Sequence, residues 1–144
     1  MDNMSDNLAE PLRLPCGAIL PNRLCKAAMT EGLADPLLRA TPRHETLYRT
    51  WSECGAGLLL TGNVQVDRTD LERPGNVAID VSEPRTVSPE ARERLRAWAR
   101  AGTVRGNHLW MQISHAGRQS PWYVTRKPLA ASEVQLDLLC NYAR

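Results

Sequence analysis

The chain has 144 residues, 42% hydrophobic and 24% charged, the proportions of an ordinary soluble domain, with a formal net charge of +2. So small a charge excludes a polyanion as the evident partner, and Arg92, Arg94, Arg96 and Arg100 are interleaved with Glu90 and Glu93 as on a solvated helix face. Cys16, Cys25, Cys54 and Cys140 form no C-x-x-C pair, His44, His108 and His115 have no ligand spacing, and no apolar run nears the roughly 18 residues of a membrane helix.

In chain order, residues 1–11 are acidic and polar and read as a disordered lead without the apolar core of a signal peptide. With unpaired thiols, that predicts a cytoplasmic protein. Two short apolar runs between Leu12 and Pro21 flank Pro15-Cys16-Gly17 and predict a small hairpin. Asn22 to Met29 has the length and composition of a strand.

Thr41 is a good N-cap and Pro42 suits the first helical position, where its missing N–H costs nothing. Leu47, Tyr48, Trp51 and Cys54 then share a helix face, and Gly55 and Gly57 stop the helix. Gly57 to Thr61 is an apolar run typical of a strand buried on both faces. After a polar loop from about Asp67 to Val87, Ser88-Pro89-Glu90 starts a second helix whose buried stripe is predicted as Ala91, Leu95, Trp98 and Ala99, ending at Gly102. His108 to Ile113 is the next strand, and the stretch from Ser114 is loop-like, with no resolvable element from Glu133 to Arg144. Strand–helix alternation predicts parallel β/α units over a domain spanning 12–144, because parallel strands need a crossover that a helix supplies. Two sheet edges are left unpaired, which predicts self-association or aggregation.

A β/α barrel presents ligand groups at the C-terminal ends of its strands. Those ends hold Met29-Thr30-Glu31, Gly62-Asn63 and Gln112 to Arg118. Taken singly, Thr30 reads equally as a hydroxyl bonding local backbone, Gln112 as a satisfied polar residue, His115 as structural or exposed, and Gly62 and Asn63 as turn chemistry.

Taken together they point further. The segments PNRLCKAAMTEGLAD, GAGLLLTGNVQVD and WMQISHAGRQS resemble the first three strand ends of the Old Yellow Enzyme, or NADH:flavin oxidoreductase, family, over about Leu12 to Leu139. The resemblance implies an α/β fold, the N-terminal part of a TIM (β/α)8 barrel with about three strands. It implies noncovalent FMN, hydride from NAD(P)H to the flavin, and hydride onward to an activated alkene such as an enone. Carried over by position, Ala28, Met29 and Thr30 line the isoalloxazine ring, with Thr30 toward O4. Gly62 and Asn63 lie near the pyrimidine side, Gln112 meets the O2/N3 edge, and His115 and Arg118 are loop residues near the site without an assigned role. The family's substrate-carbonyl clamp, Tyr proton donor, flavin-contacting Arg and phosphate site lie further along the barrel than these residues. No catalytic residue is therefore assigned, and this stretch alone is expected to be inactive and to retain no stoichiometric flavin. The alternative is a non-catalytic barrel remnant that acts through association with another chain. The sequence departs from the family at Ala28, where many members have Pro, and over Cys140 to Arg144.

Overall fold

A computed structural model describes residues 4–134, with side chains from residue 7 onward. A short helix, α1 (Met4–Ala9), stands where composition reads a disordered lead, and Leu8 accepts a hydrogen bond from the Arg23 N–H at 2.9 Å. The predicted hairpin is present as β1 (Leu12–Arg13) antiparallel to β2 (Ile19–Leu20).

The central sheet is parallel and has three strands. It is built from β3 (Cys25–Lys26), β4 (Leu58–Leu60) and, further along the chain, β6 (His108–Trp110), in the order β3-β4-β6. Cys25 pairs with Leu58, and Leu58 with His108, so the three strands advance in step. The crossovers are α2 (Pro42–Glu53) and α3 (Pro89–Ala101), as the alternation predicts. Among the described residues no helix is long and apolar enough to cross a membrane.

Both helix starts follow local chemistry. Ser88 Oγ accepts the Ala91 N–H at 3.2 Å, the ordinary N-cap bond. At α2 the reciprocal half of a capping box is carried by His44, whose Nδ1 accepts the Thr41 N–H at 3.1 Å, where Glu or Gln is usual. The buried faces differ in phase from the prediction. In α2 the buried residues are His44, Tyr48 and Ser52, and Cys54 is exposed. In α3 they are Ala91, Trp98 and Ala101, and Ala99 is exposed. Trp98 sets both phases by lying between the helices, 4.7 Å from the His44 ring and 5.1 Å from the Tyr48 ring. It anchors a core of Ala40, Tyr48, Leu59, Val64 and Val77. Below it Ser52 donates to Asn107 at 2.5 Å, and Asn107 donates to the Gly102 carbonyl at 2.8 Å, fixing the turn from α3 into β6.

Above the three-strand sheet the chain forms a second parallel ladder, β5 (Val64–Gln65) with β7 (Ile113–Ser114). The predicted strand His108–Ile113 is thus two strands interrupted at Met111-Gln112. Thr61 bridges the gap: its N–H reaches the Trp110 carbonyl at 3.0 Å, and its hydroxyl oxygen accepts the Gln112 N–H at 2.9 Å. The polar segment after β5 is ordered and returns to it. Gln65 donates to the Val77 carbonyl at 2.8 Å, and the Asp80 carboxylate collects Ser82 and the Arg68 N–H. Gly75 is pressed on the loop that follows β3, since a Cβ there would sit 2.7 Å from the Gly32 carbonyl oxygen.

Candidate functional site

The C-terminal ends of β3, β4 and β6 converge, and hydrogen bonds connect their side chains. Gln112 Nε2 donates to Asn63 Oδ1 at 2.5 Å, and Asn63 Nδ2 donates to Glu72 Oε2 at 2.5 Å. The Thr30 hydroxyl donates to the same Glu72 oxygen at 2.6 Å. Three of the residues read from the sequence, Thr30, Asn63 and Gln112, are therefore joined through a fourth that sequence reasoning missed. Glu72 lies in the ordered loop, 42 residues from Thr30 and 9 from Asn63, and no spacing rule connects them.

Ala28 is half-buried, whereas Met29 is 52% exposed and Met111 is 38% exposed. Gln112 is exposed as well, so the strand ends present an amide edge together with apolar thioether surface. The Thr30 proton is committed to Glu72, and a bond from Thr30 to a flavin O4 requires that hydroxyl to turn.

Gly62 is buried, and its lack of a side chain has a local reason. A Cβ there would collide with the Met29 carbonyl and the Glu31 carboxylate. Its N–H is shared between Glu31 Oε1 at 3.0 Å and the Tyr48 hydroxyl at 3.1 Å, and Tyr48 in turn donates to Glu31. Burial and then the Glu31 hydrogen bond push the Tyr48 phenol well above its ordinary value, so it stays a protonated donor. Beside it, Lys26 donates to the Leu60 carbonyl at 2.8 Å and lies over the Trp51 ring at 4.2 Å. Burial lowers the Lys26 pKa, and the nearby Glu31 charge opposes that shift. Lys26 and Tyr48 thus hold the carbonyl and N–H groups at the end of β4 from the helix side. In the sequence Glu31 shows only as Thr30's neighbour, and Tyr48 only as part of a packed helix face.

His115 and Arg118 stand apart from this chain of bonds. His115 Nδ1 accepts the Gly117 N–H at 3.0 Å, so the neutral ring carries its proton on Nε2, which faces Asp70 at 3.6 Å. Asp67, Asp70 and His115 come within 4.8 Å of one another, a grouping the sequence spacing does not reveal. The Gly117 N–H and the Asp70 carboxylate thus engage the two ring nitrogens. Asp70 also accepts the Leu129 N–H at 2.8 Å and ties the two loops together.

Solved structures share this architecture. The Old Yellow Enzyme homologue of Zymomonas mobilis superposes with a TM-score of 0.74 at 23% identity, over 96% of this chain and 39% of that one. The old yellow enzyme of Trypanosoma cruzi gives 0.73 at 21%, over 98% and 39%. No protein-family model matches the sequence. Curated relatives match more closely in sequence. The NADH-dependent flavin oxidoreductase iliE of Neonectria sp. (strain DH2) is 37% identical over 127 residues, 87% of this chain. The NADH-dependent flavin oxidoreductase nadA of Aspergillus parasiticus is 36% identical over 124 residues, 81% of this chain. The chain is similar in sequence to NADH-dependent flavin oxidoreductases and shares the fold of Old Yellow Enzyme homologues. It spans 16% and 28% of the lengths of those two relatives. What its described residues share with those barrels is three parallel strands, two crossover helices and the loops above them.

The residues present fit the edge of a flavin ring. With one Gln112 N–H given to Asn63, the amide has an Oε1 and a second N–H without a partner among the described residues, an acceptor beside a donor. A flavin pyrimidine edge offers the complementary N–H and carbonyl.

Proposed function

We propose that this chain forms the first strand ends of an FMN site in an NAD(P)H-dependent oxidoreductase that reduces activated alkenes such as enones. One observation carries the reading: the bonded chain Gln112–Asn63–Glu72–Thr30 leaves the Gln112 amide exposed at the strand ends, where a barrel binds its ligand. Bound flavin would supply the hydride chemistry, and these residues would bind and orient it. Gln112 offers its amide to the O2/N3 edge, Ala28 and Met29 lie along the ring, and Lys26, Glu31 and Tyr48 keep the β4 end in place beneath it. The names of the curated relatives support the flavin and the nicotinamide donor. Exposed, unpaired Cys16, Cys25 and Cys54 support a reducing, cytoplasmic setting.

The test is a flavin titration. Gln112→Ala should bind FMN about tenfold to a hundredfold more weakly with an unchanged circular dichroism spectrum. Equal binding by parent and variant would make Gln112 a packing residue and end this reading.

A second reading, a non-catalytic chain that works through association, is favoured by the sheet edges. Among the described residues β3 and β6 each pair on one side only, with Leu24 47% and Trp110 41% exposed nearby. Sedimentation that shifts to larger species with concentration, without flavin binding, would select it.

A further inference from the structure

We propose that Glu72 is a positioning residue that sets the hydrogen-bond polarity of the ligand edge, fixing which end of the Gln112 amide faces outward; the flavin arm of its test rests on the function proposed above. An amide accepts at its oxygen and donates at its nitrogen, and by turning over it can present either end to a neighbour, so a row of amides alone has two senses of nearly equal energy. A carboxylate only accepts. Glu72 Oε2 takes the Asn63 Nδ2 hydrogen at 2.5 Å and the Thr30 hydroxyl hydrogen at 2.6 Å. Asn63 must therefore turn Oδ1 the other way, where it meets Gln112 Nε2 at 2.5 Å. Among the described residues Gln112 Oε1 then has no partner. The negative end of the row dictates the sense of each amide in turn, and the outward face becomes acceptor plus donor rather than donor alone. A ligand bearing N–H next to C=O matches that face, and one whose N–H is blocked does not.

A simpler role for Glu72 is to staple its loop to the strand ends. The two roles separate by ligand discrimination, since a loosened loop weakens all ligands alike while a lost polarity weakens the preference for N–H. The probes are riboflavin and 3-methylriboflavin, titrated into the full chain, with Glu72→Leu and Glu72→Gln as variants. The parent should prefer riboflavin by about tenfold, the scale of an acceptor left unpaired by the methyl group. Glu72→Leu should bring the ratio close to one, because the Gln112 amide is then free to turn over. Glu72→Gln should retain most of the preference, since its side-chain oxygen can accept both hydrogens. In the ligand-free chain, one Gln112 side-chain N–H should exchange slowly in the parent and Glu72→Gln, and fast in Glu72→Leu. A Leu variant that keeps both the ratio and the slow exchange overturns the proposal. If the parent binds neither flavin, the proposed function falls, and the exchange measurement alone decides the role of Glu72.

Discussion

Tyr48→Phe isolates one hydroxyl at the centre of the structure. The ring is fully buried and packs against Trp51 at 4.8 Å and Trp98 at 5.1 Å, and phenylalanine keeps those contacts. What goes is the bond donated to Glu31 and one of the two acceptors of the Gly62 N–H. Gly62 retains Glu31 Oε1 at 3.0 Å, so no backbone donor is orphaned. The cost is then that of a hydrogen bond to a charged group, about 1.5–3 kcal/mol. For a chain of this size that lowers the Tm by roughly 3–12 °C. Thermal unfolding followed by circular dichroism reads the shift, and hydrogen exchange should show the Gly62 amide opening faster. A double-mutant cycle with Glu31→Gln should give a coupling of about 1 kcal/mol or more. A Tm within about a degree of the parent, with no coupling, would refute the view that this hydroxyl holds the end of β4.

Gly75 and Gly55 share a φ of +88°, yet a Cβ at Gly75 meets the Gly32 carbonyl oxygen at 2.7 Å and at Gly55 meets nothing within 4 Å. Gly75→Ala should cost about 2–4 kcal/mol and Gly55→Ala only about 1–2, read as denaturant midpoints at constant slope; equal losses would contradict the close packing of the two loops. Burial lowers the His44 pKa from its ordinary 6.5, so the unfolded chain binds that proton first as pH falls. The stability His44 contributes is thus present above pH 6.5 and lost as pH drops toward its depressed folded value; His44→Gln should flatten this part of the Tm–pH curve, and parallel curves would show that the imidazole does not titrate with folding.

What the sequence revealed follows the range of the forces involved. The starts of α2 and α3 were legible because Thr41, Ser88 and the prolines act within one turn. The parallel order was legible because strand, helix and strand each keep a local period. Helix phase was less so: Cys54 and Ala99 lie one position class away from the buried face, which Trp98 selects by contacts across two helices. The segment after Asp67 has loop composition, and only the bonds made by Asp80 and Gln65 reveal that it is ordered. At the site, Thr30, Asn63 and Gln112 stood out because polar groups at strand ends are conspicuous. Glu72 did not, since its partners are set by how a long excursion folds back, and Tyr48 hid among apolar neighbours of the same helix.

The splice at Thr61 separates two kinds of change that this chain can accept. Below it, the β3-β4-β6 ladder is bound backbone to backbone, and any slip there would move every side chain to the opposite face. At Met111-Gln112 one link of the ladder is a threonine hydroxyl, so the strand can end, bend and resume against β5 without transmitting a register shift downward. Exchanges above that point, at exposed positions of the loops that carry Glu72 and His115, alter the binding face without shifting the register of the ladder beneath. The sheet beneath acts as a fixed base plate, and a threonine or serine at position 61 is what keeps the two halves independently variable.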